Sequence, residues 1–277
     1  MNVFLTGATG YVGGAIAKEL RAAGVEVLAL VRTEEKARAV RERGMVPILG
    51  TLEALERHAE TAGRADAIVH AAFDDAHEER DAHATRALLA AGSRAFVYAS
   101  SAYNRSAWRF ALEEEVLAAG GDRMATSVVR LGMVYGGLGG TMPDLFAAAE
   151  AHGTSFYVGE GRARVSAIHR ADAARLFHAI VRQGGRGIFE GVDGEPVTAR
   201  ALAEAVARTV GCRRIESVCA EQAPAEFREH TCDVLERDVA VAQTHGASVG
   251  WTPRFPNVPA GLARAYEEWK EEAIRVG

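Results

Sequence analysis

The chain has 277 residues, 48% of them hydrophobic and 25% charged, with a formal net charge of -5. That length holds a large core, as one domain with an appended lobe or as two domains, and the acidic balance argues against a nucleic-acid partner, which calls for a basic one. No apolar run reaches membrane-spanning length, and the first strand starts too early for a signal peptide to precede it, so a cytoplasmic protein without a membrane partner is expected.

Asn2-Val3-Phe4-Leu5 reads as a short buried strand, and after the stretch Thr6-Gly7-Ala8-Thr9-Gly10-Tyr11-Val12-Gly13-Gly14 the apolar residues Val12, Ile16 and Leu20 recur at helical spacing. The glycines therefore sit at a strand-to-helix turn. A dinucleotide fingerprint needs glycine there for the tight turn, for close approach of a pyrophosphate and for packing of helix on strand. The amide groups and positive end of the new helix then face the phosphates.

Val25 to Val31 is a near-continuous apolar run, as expected of a parallel strand buried on both faces, and it ends in Arg32. At that position a carboxylate would bind the ribose 2′-hydroxyl, whereas an arginine accommodates a 2′-phosphate. No acid closes the strand, so Arg32 favours NADP(H) over NAD(H), with Lys36 or Arg38 as helpers. A helix over 34–43, a strand over 46–49 and a helix around 52–62 follow. The strand Ala67-Ile68-Val69-His70 leads into Ala71-Ala72-Phe73, where small residues let a cofactor lie across the sheet, and His70 reads as a satisfied histidine at the edge of the core. A helix over 75–91 turns Leu88 and Leu89 inward and a charged face with Glu78, Glu79 and Arg80 to solvent. The strand 95–99 ends in Ser100-Ser101, a helix over 107–119 comes next, and a strand over 126–131 closes this half. Strand and helix alternate throughout, which predicts an α/β fold with a doubly wound parallel Rossmann sheet.

Further motifs occur in order: Val69-His70-Ala71-Ala72, Val97-Tyr98-Ala99-Ser100-Ser101, Val129-Arg130-Leu131-Gly132-Met133-Val134-Tyr135-Gly136 and Ile168-His169-Arg170-Ala171-Asp172. Pro196-Val197-Thr198 and Gly250-Trp251-Thr252-Pro253 complete the set. With the glycine-rich turn, they make the sequence resemble the extended short-chain dehydrogenase/reductase family, also described as the NAD-dependent epimerase/dehydratase group. The resemblance implies a Rossmann core over 1–136, with 187–192 returning to it, and a smaller C-terminal substrate lobe over 137–186 and 193–277. It implies that Thr9, Gly10, Tyr11 and Val12 line the pyrophosphate, that Leu52 borders the adenine, and that Ala71, Ala72 and Phe73 border the ribose. Leu131 and Val134 would face the nicotinamide.

One family motif is missing. The family's chemistry uses Tyr-x-x-x-Lys on the helix after the fifth strand, a spacing that puts both side chains on one face. The ammonium lowers the phenol's pKa so that it exchanges a proton near neutral pH. Here no lysine stands between Ser101 and Val128. Ser101 is the residue that would orient a substrate oxygen, and Tyr103, with Arg105 and Arg109 close in sequence, is the candidate acid. Its other reading is the structural tyrosine that follows the family's serines. Glu113 to Glu115 read as a solvated helix start.

In the lobe, the resemblance brings Arg162 or Arg164 to an anionic substrate group and places Tyr135 at the pocket. Asp172 reads as the N-cap of a helix over 173–182, His169 as structural, and Thr198 as the cap of a helix ending at Gly211. The terminal helix 259–275 packs through Leu262, Tyr266 and Trp269. The three cysteines cannot all pair and form no Cys-x-x-Cys, so reduced thiols are expected, and no metal-ligand spacing emerges. Three functions stand: an NADP(H)-dependent oxidoreductase on a small carbonyl or alcohol, a non-catalytic NADP(H)-binding sensor or scaffold, and a sugar-nucleotide epimerase or dehydratase. The oligomeric state is left open.

Overall fold

The structure is a computed structural model that describes residues 1–72, 77–104 and 106–276. From the N-terminus the first elements are β1 (Asn2–Thr6), α1 (Tyr11–Ala22), β2 (Glu26–Val31), α2 (Glu34–Glu42) and β3 (Val46–Leu49). A 3-10 turn over Leu52–His58 and the short α3 (Ala59–Gly63) replace the single helix expected around 52–62, because Ala54 leaves helical geometry. Then come β4 (Ala67–His70), α4 (Glu78–Ala91), β5 (Ala95–Ser101), α5 (Ala107–Ala118), β6 (Ala125–Leu131) and β7 (Met133–Tyr135). The remaining elements are α6 (Met142–His152), β8 (Thr154–Val158), β9 (Arg164–Val165), β10 (Ala167–His169), α7 (Arg170–Gln183), β11 (Gly187–Gly191), β12 (Val197–Thr198), α8 (Ala199–Val210), β13 (Arg214–Val218), α9 (Glu229–Glu236) and α10 (Val258–Val276).

Seven strands form one sheet in the order β11-β6-β5-β4-β1-β2-β3, and the pairs β1–β2, β2–β3, β1–β4 and β4–β5 run parallel. Val3, Phe4 and Leu5 are fully buried, as are Ile68, Val69 and Phe96 on the neighbouring strands. Each such side chain contributes about 1.5–3 kcal/mol relative to exposure. The alternation read from the sequence thus gives the Rossmann architecture. Strand order reverses between β1 and β4, whose ends are in register at Thr6 and His70. Open α/β sheets bind their ligands beyond the strand ends at such a switch point.

The chain divides into two compact units, one of 1–130, 173–189 and 244–252, the other of 131–172, 190–243 and 253–277. The first takes in most of α7, which the sequence reading gives to the lobe; Ile180 packs there beside Phe189 and Val249 around Gly185. The second unit is built on short pairs, β7 with β10, β9 with β12 and β8 with β13. Its core includes Phe146, Leu202, Val206 and Leu262. Thr198 caps α8 by accepting the Ala201 amide at 3.1 Å, as expected, and Tyr266 stacks on Trp269 at 5.8 Å. Asp172 corrects the sequence reading. It lies inside the first turn of α7, and its Oδ2 accepts the amides of Arg254 and Phe255 at 2.9 and 3.0 Å. A long-range partner thus takes the carboxylate that looked like a cap. Among the described residues no helix is long and apolar enough to cross a membrane.

Candidate functional site

The glycine turn folds for reasons visible atom by atom. Gly7 has φ +78°, and a Cβ there would stand 2.6 Å from the Ala71 carbonyl oxygen and 2.8 Å from the Ala72 amide nitrogen. Only glycine takes that conformation in that space. The Gly10 amide donates to the Gly7 carbonyl at 2.8 Å, and a Cβ on Gly13 would run into the same carbonyl. Gly10 is the N-cap of α1, carries no capping side chain, and no acid stands in the first turn. The N-terminal end of α1, with neither a capping side chain nor an acid, favours an anion through the helix dipole.

Beyond the ends of β1 and β4 lies a cleft of about 400 Å³. Thr6, Gly7, Thr9 and Gly10 line it from the turn, Ala71 and Ala72 from the end of β4, and Leu52 from the 3-10 turn. Arg32, Lys36 and Arg80 add three positive charges to the lining, and among the described residues no acidic one lines it. These residues suit a dinucleotide: a backbone cradle that a Cβ would fill, small residues beside it, and cations near the end of β2. Tyr11, Val12 and Gly13 form the first turn of α1. Phe73 lies outside the described residues.

Behind the cleft the sequence reading missed a buried polar network. The Ala72 amide donates to Thr6 Oγ1 at 3.3 Å, and Thr6 Oγ1 shares a 2.6 Å hydrogen bond with His70 Nδ1. His70 Nε2 stands 3.6 Å from Asp81 Oδ1. Asp81 Oδ2 accepts from Tyr98 and from Arg109 Nη1, each at 2.5 Å, and Arg109 also donates to the Tyr98 hydroxyl. His70, Asp81, Tyr98 and Arg109 are all 0% exposed. Burial opposes the ionisation of Asp81, but His70, Tyr98 and Arg109 outweigh it and hold the carboxyl below its ordinary range. Burial, then the neighbouring Asp81 charge, push the Tyr98 phenol far above its ordinary value, which removes it as an acid near neutral pH.

The helix expected to carry the chemistry presents Arg109, Leu112, Glu113 and Val116 to the interior. Glu113 corrects the sequence reading: it is buried, accepts from Ser100 Oγ at 2.5 Å, and pairs with Arg130 Nη2 at 2.6 Å. Arg109 is likewise committed to Asp81 and to the face of Trp108, 4.0 Å from the ring centre. Two ionic residues four apart thus fill the inward face of α5, one spacing that sequence reasoning searched only for tyrosine and lysine. Ser101 and Tyr103 lie at the exit of β5, half-buried, with the Tyr103 amide donating to Ser101 Oγ at 3.1 Å. Arg105 lies outside the described residues.

A family model described as NAD(P)H-binding matches residues 7–126. Over those residues the chain is similar to NAD(P)H-binding proteins, in keeping with its Rossmann-like sheet. It is 27% identical to an uncharacterized protein of Saccharomyces cerevisiae, with 92% of this chain and 95% of that protein covered. It is 28% identical to the 4-hydroxy-2-methyl-3-oxo-4-farnesyl-3,4-dihydroquinoline-1-oxide ketoreductase of Stigmatella aurantiaca, with 77% of this chain and 74% of that protein covered. Among solved structures, a UDP-glucose 4-epimerase of Thermotoga maritima aligns with a TM-score of 0.76 at 18% identity, covering 99% of this chain and 100% of that one. A human epimerase family protein crystallised with NADPH aligns at 0.75 and 21% identity, covering 96% and 99%. At those identities the likeness is one of fold alone.

The remaining expected site residues fall in the second unit. Leu131 is buried and Val134 half-buried. Tyr135 is wholly buried, its ring 5.2 Å from His169 and its hydroxyl against Gly261, so its side chain is enclosed by packing. His169 is structural as read: it accepts the Ala171 amide at 3.2 Å, stands 3.5 Å from Glu268 and lies 4.5 Å from the Phe255 ring. Arg162 is exposed and pairs with Glu160. Arg164 holds Asp238 at 2.6 Å and pulls that carboxyl down to about 2. Arg80 corrects the sequence reading, which turned it to solvent: it is half-buried, lines the cleft and pairs with Glu53 at 2.7 Å.

Proposed function

We propose that the chain is an NADP(H)-dependent oxidoreductase of the extended short-chain type, acting on a small carbonyl or alcohol in the cytoplasm. The observation that carries this reading is the glycine cradle with Arg32, Lys36 and Arg80 on its rim. A guanidinium pairs bidentately with a 2′-phosphate, which a ribose hydroxyl cannot match. The ketoreductase of Stigmatella aurantiaca supports the reaction class.

When bound, the nicotinamide supplies or accepts a hydride. The chain's own residues do the rest. The start of α1 and Thr9 hold the pyrophosphate, Leu52 borders the adenine, and Ala71 and Ala72 border the ribose. Ser101 orients the substrate oxygen, and Tyr103 exchanges the proton with it directly or through one water. Tyr135 has no part in this reading, because its hydroxyl is packed on Gly261.

A panel of small carbonyls and alcohols, followed by NADPH oxidation or NADP⁺ reduction, tests the reaction class. Turnover that is lost in Tyr103→Phe and kept in the wild type is the expected result. Equal affinity for NADPH and NADH in the wild type, or no selective loss of NADPH affinity in Arg32→Ala, would overturn the cofactor assignment.

One observation favours a second reading, a non-catalytic NADP(H)-binding sensor. The inward face of α5 is filled by Arg109 and Glu113, both held in ion pairs. Tight NADPH binding with no turnover on any panel member would select it.

A further inference from the structure

Arg32 and Lys36 reach the cleft from the end of β2 and the first turn of α2, whereas Arg80 reaches it from the first turn of α4. Arg80 also has an acidic neighbour inside the same chain. Its Nε stands 2.7 Å from Oε1 of Glu53, the residue after the cleft-lining Leu52. Glu53 is well seated: its own backbone amide and the Thr51 hydroxyl hold the carboxyl below its ordinary range, and the charges of Arg80 and Arg32 add to the effect. It is therefore ionised at neutral pH and lies in the field of both arginines.

We infer that Glu53 competes with the cofactor's 2′-phosphate for Arg80, so that Arg80 is a second determinant of cofactor choice and Glu53 sets its strength. The inference rests on the NADP(H) reading of this cleft. A phosphate monoester carries nearly two negative charges at neutral pH and three acceptor oxygens. It outbids one carboxylate for a guanidinium, yet must leave that carboxylate nearby and repelling it. NADH brings no such group, so its affinity is indifferent to the exchange. The rim thus discriminates through a trade of anions, and the strength of discrimination depends on the acid as much as on the bases.

The test is a binding titration of the full chain, independent of turnover, with NADPH, NADH, 2′,5′-ADP and 5′-AMP. Removing the acid in Glu53→Gln should tighten NADPH and 2′,5′-ADP by roughly two- to fivefold, the scale of a partly exposed charge pair. NADH and 5′-AMP should not move. Arg80→Gln should weaken the two phosphorylated ligands alone, and in that background Glu53→Gln should tighten them less than it does in the wild type. Both side chains are partly exposed, at 30% and 56%, so neither substitution threatens folding. If Arg32→Ala alters the NADPH preference while the Glu53 and Arg80 variants leave it unchanged, the inference is overturned and the NADP(H) reading stands. If the wild type binds 2′,5′-ADP no better than 5′-AMP, both fall.

Discussion

Charged residues meet the cleft in two ways. On its rim, Arg32 is exposed and Lys36 and Arg80 are half-buried, with water on one side. Behind its wall, Asp81, Tyr98 and Arg109 are sealed from solvent and satisfied by one another. Charged side chains in the two places therefore do opposite work. A rim charge costs little to keep ionised and is available to a ligand, so it sets affinity. A buried charge is costly to desolvate and must be paired inside the fold, so it sets stability and geometry.

The largest expected effect lies behind the wall. Arg109→Met leaves Asp81 buried without its guanidinium and should cost about 3–5 kcal/mol, read as a fall in the denaturant midpoint. Adding Asp81→Leu to that variant should recover much of the loss, because two apolar residues replace a desolvated pair. If Arg109→Met unfolds like the wild type, the division between rim and wall fails.

A second buried acid extends the comparison into the other unit. Asp193 is 5% exposed, and burial, opposed by the amides of Gly194 and its own residue, raises its carboxyl to about 7, with the charge of Asp172 adding to the rise. The native state then binds this proton more tightly than the unfolded chain does. Stability is fully present below the ordinary carboxylate range, falls as the pH rises towards 7, and stays reduced above it. Asp193→Asn should remove that dependence, stabilising the fold by up to roughly 4 kcal/mol above pH 7 and by little near pH 4. A variant whose melting temperature tracks the wild type equally at pH 4 and pH 8 would refute the assignment.

The smallest effect belongs to an exposed pair on the helices that carry Asp81 and Arg109. Arg86 of α4 holds Glu115 of α5 bidentately, with both bonds at 2.7 Å, and the two side chains are 59% and 42% exposed. Geometry is as good as in the buried pair, but water screens it. Arg86→Ala should cost less than about 1 kcal/mol, and the difference should shrink in high salt. A loss comparable to that of Arg109→Met would mean that geometry, not burial, sets the worth of these pairs.

Much of the fold was legible in the sequence because its signals are local. Apolar runs mark β1, β2 and β4, helical spacing marks α1 and α8, and the Gly7–Gly13 turn announces itself through residues within one short stretch. Arg32 at the rim was legible for the same reason: its position at the end of a strand is a local fact. Arg80, Asp81, Arg109 and Glu113 were not, because a charged residue on a helix looks the same in the sequence whether its partner is water or another side chain. Asp81 and Arg109 are 28 residues apart, and Asp172 meets the Arg254 amide across 82. Only the packing of α4 and α5 on the sheet withdraws the first pair from solvent, and only the path of the chain brings residue 254 back to the start of α7. Local composition determined where strands, helices and the glycine turn lie; desolvation, which exists only once the chain has folded, decided which charges stay at the solvent-facing rim and which serve the core.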